Sequence, residues 1–166
     1  TPALETALQS YADISDAIGD TYSDLGHTFY VLTFPSAGHT WVYDLTTGVW
    51  HERGEWSVAD NQFKALRTLY HTFAFGQHLV GDRQGGTIYQ QDSSFTTDVD
   101  GTLIRRLRRT PSFFYENKRL FYSRLELMLE PGLALASGQG SDPQVMLRVS
   151  NDGGKTWGAE LSRSAG

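Results

Sequence analysis

A cluster of small polar residues near the C-terminal end of the chain has residue types and spacing that suit either a functional site or a structural turn. Residues 149–158 read V-S-N-D-G-G-K-T-W-G. The Asp152 carboxylate can accept backbone N–H bonds inside a turn, Gly154 permits positive φ, and Trp157 can bury its indole against a neighbouring layer. Each residue type has a structural role, so we expect a turn between two strands that is held by Ser150, Asp152, Gly154, Thr156 and Trp157.

The spacing Ser-x-Asp-x-Gly-x-Thr-Trp is that of an Asp-box, a motif that recurs in sialidases and other propellers at turns between outer strands, away from the active centre. A sialidase-like glycosidase would also need an arginine cluster for the substrate carboxylate, a nucleophile and a separate acid. Arginines and carboxylates are present, but no motif in this chain places them together. We therefore expect no catalytic residue, and we keep a glycan-processing or glycan-binding Asp-box propeller as an alternative.

The strongest charge feature is R-R-L-R-R at residues 105–109. If this segment is a strand, alternation places Arg106 and Arg108 on one face and Arg105, Leu107 and Arg109 on the other. The simpler interpretation is a solvated sheet edge or a salt-bridged surface between subunits. The alternative, which assigns the arginines a specific function, is a contact with nucleic-acid phosphate. Both interpretations involve the same four arginines.

No set of residues has the spacing of a metal or cofactor site. The histidines form no H-x-x-x-H pair and lack a carboxylate at ligand spacing. We expect turn or surface roles for all five: His27, His39, His51, His71 and His78. D-V-D-G at residues 98–101 lacks the glutamate that ends a calcium loop, and G-D-R-Q-G-G at residues 81–86 lacks the Lys-Ser/Thr of a phosphate loop. We therefore predict no metal and no cofactor.

Composition and charge restrict the class of protein further. Of the 166 residues 39% are hydrophobic and 13% aromatic, with 17 glycines, a mixture that favours strands and tight turns. No apolar run reaches the roughly 18 residues that a membrane span takes, and zero cysteines exclude disulfides and thiolate chemistry. The net charge of −5 is uneven, because residues 1–99 carry 4 basic and 12 acidic side chains while residues 100–130 carry 7 basic and 4 acidic ones. Only a local face could therefore bind nucleic acid.

Short antiparallel strands are the elements that must position these residues. Helical spacing of Leu4, Leu8 and Tyr11 predicts one short N-terminal helix. Alternating and β-branched stretches then predict four strands, with turns that include Leu25-Gly26, at residues 17–24, 27–34, 40–44 and 49–53.

A similar unit follows, and part of a third. The second unit has predicted strands at residues 69–75, 78–82, 87–92 and 103–109, with a two-residue turn at Gly76-Gln77. The third has predicted strands at 119–129 and 144–149, joined by a loop at 131–143. Four strands in each unit of about 40 to 50 residues are typical of propeller blades.

Three units, at about residues 16–56, 66–110 and 119–166, are too few to close a ring, which takes roughly four to eight blades. We therefore predict an all-β fold of antiparallel, four-stranded, propeller-like blades with a short N-terminal helix. Residues 1–166 are interpreted as a fragment of one β-propeller domain that belongs to a longer protein.

Several stretches resemble one known family. Residues 26–53, which read G-H-T-F-Y-V-L-T-F-P-S-A-G-H-T-W-V-Y-D-L-T-T-G-V-W-H-E-R, are similar to the packaged-DNA stabilisation proteins of short-tailed bacteriophages. Residues 78–89, residues 108–114 and the polar turn at residues 149–158 are similar to later motifs of that family. The resemblance extends from about Ile14 to Gly158.

The resemblance implies a phage or prophage virion structural protein of the tail hub, or nozzle, that is assembled in the bacterial host cytoplasm and acts without catalysis. It implies a homo-oligomeric ring, hexameric in family members, that closes the portal channel and stabilises packaged DNA. The implied partners are portal or adaptor proteins and a tail needle or tailspike. DNA would pass nearby with weak or no direct binding, and no membrane is involved. A generic β-propeller interaction scaffold remains a further alternative.

Overall fold

The computed structural model describes residues 2–60, 62–116, 118–128 and 141–165. They belong to two compact units, Thr1–Leu107 and Arg108–Gly166. Within the described residues, the first unit contains one helix and nine strands, and the second contains two strands. The predicted architecture of antiparallel sheets with a short N-terminal helix is confirmed, and no sheet among the described residues closes on itself.

The predicted helix, α1, spans Pro2–Ser10 and is fastened to the first sheet. Leu4 on this helix is buried. Tyr11, which follows the helix, accepts a 2.9 Å hydrogen bond from Trp41 Nε1, and its ring stacks on His39 with 5.2 Å between centroids. The residue that follows the helix therefore contacts the face of the sheet on which Trp41 and His39 lie. No helix in the described residues is long and apolar enough to cross a membrane.

The first sheet is a four-stranded antiparallel meander with the order β1-β2-β3-β4. Its strands, all predicted, are β1 (Ile18–Asp24), β2 (His27–Phe34), β3 (His39–Asp44) and β4 (Val49–Arg53). The predicted turn Leu25-Gly26 joins β1 to β2, with φ values of 49° and 81°. Positive φ at both central residues is the conformation whose twist matches that of flanking strands, and glycine adopts it readily.

Polar side chains occupy the centre of the core. Along β3 every second residue is buried, namely Thr40, Val42 and Asp44. Thr33 on β2 is also fully buried, and its hydroxyl lies 3.1 Å from that of Thr40. Thr40 Oγ1 accepts a further bond of 3.0 Å from the backbone N–H of Leu66. This face of the first sheet therefore turns towards the second sheet and the segment that leads into it.

A short hairpin of β5 (Glu55–Ser57) and β6 (Gln62–Lys64) follows the meander. Trp56 and Phe63 lie opposite each other, with ring centroids 4.9 Å apart. This hairpin was not predicted from the sequence, because each strand has only three residues and only one of the three is apolar.

The next sheet has three strands where four were predicted. It contains β7 (Thr68–Ala74), β8 (Gln77–Asp82) and β9 (Ile88–Gln91) in that order. The turn between β7 and β8 is Phe75-Gly76, with φ values of 55° and 73°, one residue earlier than predicted. It therefore repeats the turn at Leu25-Gly26 at a distance of 50 residues, as expected for two related blades.

The predicted fourth strand, residues 103–109, is wrong. Only an isolated bridge between Thr97 and Leu103 forms there, and no strand includes residues 104–109. A strand needs a partner with matching register, and β9 makes no pairing with this segment in the described part of the chain. The first blade-like unit is therefore four-stranded and the second three-stranded.

The second compact unit contains β10 (Gln144–Leu147) and β11 (Leu161–Ser164), which pair antiparallel. β10 was predicted two residues longer, and β11 was not predicted. The predicted strand at residues 119–129 is wrong for residues 119–128, which contain no strand. Leu129 and residues 131–140 of the predicted loop lie outside the described residues. The assignment of residues 119–166 to a third blade, and of the whole chain to one propeller, stays a prediction.

Candidate functional site

The polar turn at Ser150–Trp157 lies between β10 and β11 and is organised by Asp152. Its carboxylate accepts hydrogen bonds from the hydroxyl of Ser150 (2.7 Å) and the hydroxyl of Thr156 (2.6 Å). It also accepts backbone N–H bonds of 2.9 Å from Lys155 and Thr156. Ser150 Oγ in turn accepts the N–H of Gly154 at 2.7 Å. Every contact of Asp152 among the described residues is therefore made within its own turn.

These hydrogen bonds determine the charge state of Asp152. They come first from the side chain and backbone of Thr156 and then from Ser150 and Lys155, and they hold the pKa of Asp152 far below its usual range. The carboxylate is therefore ionised at neutral pH and cannot donate a proton as a general acid must. The hydrogen bonds of Asp152 can therefore stabilise the turn between β10 and β11.

Trp157 does not bury its indole, in contrast to the sequence-based expectation. Its exposed fraction is 39%, because the described part of its unit contains only one hairpin and no second layer to cover the ring. The guanidinium of Arg109 instead lies over the ring, 5.2 Å from its centroid. Arg109 Nη2 also donates to the carbonyl of Gly153 at 3.2 Å. One arginine of the predicted cluster is thus part of the polar turn.

Gly154 leaves room for that arginine. Its φ is +89°, and a Cβ at this position would collide with the guanidinium of Arg109. Gly154 therefore adopts the left-handed backbone conformation of the turn and, because it has no Cβ, leaves space for the guanidinium of Arg109.

The four arginines do not alternate between two strand faces, because no strand forms at residues 105–109. Arg105 is half-buried, and its guanidinium lies 4.4 Å from the centroid of the Trp56 ring. Arg106 and Arg108 are exposed, and neither has an ion-pair partner among the described residues. Two of the arginines are thus stacked on tryptophans and two present free guanidinium groups to solvent.

His27 and His39, the first residues of β2 and β3, lie at the surface as predicted, with 41% and 40% of their side chains exposed. His39 bonds to Glu52 at 2.5 Å on the helix side of the sheet. His27, on the opposite face, bonds through Nδ1 to Asp44 Oδ2 at 2.8 Å. Burial by itself would raise the pKa of Asp44, but bonds from Thr47, from His27 and from the backbone of Thr46 hold it at about 2.

An inter-sheet cluster, which we define as Asp20, Tyr22, Asp24, Arg53, His71 and His78, joins the first sheet to the second. His71 Nε2 and His78 Nδ1 are 2.8 Å apart, and Asp20 Oδ2 accepts the backbone N–H of His71 at 2.6 Å. Tyr22 packs on His71 with ring centroids 4.9 Å apart, and its hydroxyl accepts a bond from Arg53. This cluster was not predicted from the sequence. His78 lies two residues from the buried Val80 on β8, but Phe73, two residues from His71 on β7, is largely exposed, so alternation does not bring the two histidines together.

Asp82, the last residue of β8, is a carboxylate whose pKa is lowered as strongly as that of Asp44. Asp82 binds Arg67 through a bond of 3.0 Å from Nε and an ion pair of 3.0 Å with Nη2. The Arg67 side chain first, and then the backbone N–H of Gln84, hold the pKa of Asp82 at about 2. Tyr89 Oη also donates to this carboxylate at 2.9 Å. Asp82 thus fastens the end of β8 to β9 and to the segment before β7.

No metal centre occurs in the described part of the chain, and two cavities in its first unit are small. No group of three or more His, Cys, Asp or Glu residues there is arranged to hold a metal ion. In the Asp98–Gly101 segment, Asp98 accepts the N–H of Val99 and Asp100 that of Thr102, each at 2.8 Å. One cavity of about 30 Å³ and another of about 100 Å³ lie in the first unit, and both are well below the roughly 300 Å³ at which ligand pockets begin.

Comparison with known proteins identifies the family. The sequence model of the phage packaged-DNA stabilisation family, described as "Bacteriophage P22 Gp10, beta-propeller", matches residues 1–96, more than half of the chain. This stretch contains α1, the four-stranded meander and the three-stranded sheet. No curated protein and no solved structure matches the chain.

The chain therefore belongs to the phage packaged-DNA stabilisation family, and its class is that of a virion component with a propeller-like β fold. The expected family membership is confirmed.

Proposed function

We propose that this protein is part of the tail hub, or nozzle, of a short-tailed phage or prophage, where it closes the portal channel and retains packaged DNA. The observation that carries the proposal is the family match over residues 1–96, which coincides with the part of the chain that forms blade-like antiparallel sheets. The role needs a rigid, repeated β scaffold and no chemistry.

A purely structural role agrees with the geometry of the polar turn and of the cavities. The carboxylate of Asp152 is ionised and satisfied within its own turn, and the two cavities described in the first unit are too small for a sugar ring. We therefore propose that the protein is not an enzyme and takes no cofactor. Screening against a panel of glycans tests this point, because turnover of any glycan would contradict it.

Assembly as a homo-oligomeric ring is the second part of the proposal. A ring, hexameric by resemblance, would narrow the channel by steric closure and would offer its edges to portal or adaptor proteins above and to a needle or tailspike below. Native mass spectrometry and negative-stain microscopy of the full-length protein test it. We expect a closed ring of six subunits, and a monomer at micromolar concentration would refute the ring.

Charge supports a channel wall that does not hold DNA tightly. Residues 1–99 carry three times as many acidic as basic side chains, and repulsion of phosphate by such a surface lets DNA leave when the channel opens. The exposed guanidinium groups of Arg106 and Arg108 are the local exception. We propose that they contact either phosphate or a neighbouring subunit.

Fluorescence anisotropy with duplex DNA separates these two roles. A phosphate contact predicts weak binding that disappears with added salt, that is lost in R106A/R108A, and that is kept in the charge-preserving control R106K/R108K. If R106A/R108A binds like the wild type, the phosphate contact is refuted. A loss of the ring in the same variant would then assign the two arginines to the subunit interface.

A further inference from the structure

The inter-sheet cluster contains a pair of histidines whose hydrogen bond depends on their protonation. His71 lies on β7 and His78 on β8, and a distance of 2.8 Å separates Nε2 of the first from Nδ1 of the second. Such a bond needs one N–H donor and one lone-pair acceptor, so at least one of the two rings must be neutral. A neutral pair satisfies this condition, and a pair with one added proton does so too.

The second proton is the one that the geometry cannot accommodate. When both rings are imidazolium, all four ring nitrogens are donors, and two N–H groups of like charge would face each other across 2.8 Å. Like charges at this distance repel strongly in a partly buried site. The two rings must then separate.

Charged groups from every neighbouring element act on this pair. β1 contributes Asp24, whose Oδ1 lies 3.4 Å from His78 Nε2, and Asp20, which bonds to the backbone of His71. The same face carries Tyr22 from β1, His27 with Asp44 from β2 and β3, and His51 with Arg53 from β4. Asp92 follows β9. Asp24 thus lies within ion-pair distance of His78, and Arg53 adds a positive charge to the same face.

We propose that the His71–His78 pair is an acid-sensitive switch at the junction of the first two sheets. Uptake of the second proton separates the rings, leaves each imidazolium to pair with an aspartate of β1, and loosens the contact of β7 with β1. This inference rests on the fold and not on the proposed place in the tail.

Burial and access both suit such a switch. Burial lowers the pKa of His71, the charge of His78 lowers it further, and Asp20 and Asp24 raise it. The folded-state pKa of His71 lies below the unfolded value of about 6.5. The stabilisation by neutral His71 is therefore complete above about pH 6.5 and is lost as the pH falls below that value towards the folded-state pKa. A cavity of about 100 Å³, lined by Asp24, Leu25, His78, Gln91, Asp92 and Ser93, exposes the His78 side of the pair.

Nuclear magnetic resonance of the ¹⁵N-labelled chain tests the switch without any substitution. At pH 7.5 we expect a ¹⁵N–¹⁵N coupling through the hydrogen bond between His71 Nε2 and His78 Nδ1, and protection of the His71 amide that donates to Asp20. Between pH 6.5 and pH 4.5 both should be lost together. A coupling that survives at pH 4.5, or one that is lost while the amide keeps its protection, would overturn the proposal.

A matched pair of variants adds a second readout. In H78Q the pair cannot take up two protons, so the chemical denaturation midpoint should fall less between pH 7 and pH 5 than it does in the wild type. H39Q removes a histidine that pairs with Glu52 on the opposite face of the sheet, and it should not reduce the fall of the midpoint between pH 7 and pH 5. Equal pH dependence in H78Q and the wild type would refute the switch.

Discussion

Replacing Thr40 with valine should destabilise the first unit more than the same change at Thr33, although both residues are fully buried. The two side chains share one hydroxyl–hydroxyl bond of 3.1 Å, but only Thr40 also accepts the backbone N–H of Leu66, at 3.0 Å. Valine has nearly the shape of threonine, so the change removes hydrogen bonding and leaves no sizeable cavity.

The magnitude follows from the groups that each change leaves without a partner. A buried polar group that loses its partner costs about 1–3 kcal/mol. Thr40→Val leaves two such groups, the Thr33 hydroxyl and the half-buried Leu66 N–H, so we expect a loss of about 2–3 kcal/mol. Thr33→Val removes one bond and leaves Thr40 bonded to Leu66, for a loss of about 1 kcal/mol. The double variant, with valine at both positions, also removes the Thr33 hydroxyl that Thr40→Val leaves without a partner. It should therefore be no less stable than Thr40→Val alone.

Urea unfolding followed by tryptophan fluorescence measures these differences as a double-mutant cycle. A Trp157→Phe background restricts the signal to the tryptophans of the first unit, Trp41, Trp50 and Trp56. The m-value should be the same in all four proteins. The reasoning fails if Thr33→Val costs as much as Thr40→Val, or if the two losses simply add.

The remaining predictions concern acid and the polar turn. Asp44 and Asp82 have folded-state pKa values of about 2, below the unfolded value of about 3.9, so their stabilisation should be complete above pH 4 and lost as the pH falls towards 2. Urea unfolding midpoints measured between pH 4 and pH 2 check this loss of stability. An Asp44→Asn variant whose midpoint falls as steeply with pH as that of the wild type would contradict the role of Asp44. Asp152→Ala should lower the amide protection of the β10–β11 hairpin, whereas a glycosidase assay should be blank for both forms; activity that disappears with the fold intact would refute the structural role. Gly154→Ala should cost about 1–2 kcal/mol because its φ is left-handed, with Lys155→Ala as the neutral neighbour for comparison.

The part of the fold that the sequence predicts well is the part with local pairing. β1 to β4 alternate clearly, and Leu25-Gly26 provides a turn that glycine makes favourable. Residues 103–109 (L-I-R-R-L-R-R) mix apolar and basic side chains and were predicted as a strand, yet a strand exists only when a neighbour offers matching hydrogen bonds. Arg105 instead stacks on Trp56. That choice depends on a contact between distant segments, which alternation does not encode.

The candidate sites divide in the same way. The hydrogen bonds around Asp152 span at most four residues, so the motif contains all their donors and acceptors, and the turn could be predicted in detail. The exposure of Trp157 could not, because it depends on whether another layer covers the hairpin. The pairing of His71 with His78, and of both with β1, likewise follows from the register of two hairpins and their packing on each other.

The order of strands in the first sheet has a consequence for how the chain folds during synthesis. Each of β1 to β4 pairs only with its neighbours in sequence, so every loop that must close is short, and folds of this kind form quickly. A β-hairpin forms in about 1–10 μs, whereas a ribosome takes about one to three seconds to add the 15 residues from Gly54 to Thr68. The meander therefore completes its pairing before β7 emerges. The second sheet then folds against the completed first sheet. Asp20 and Asp24 of β1 are already in position when His71 and His78 are added to the chain.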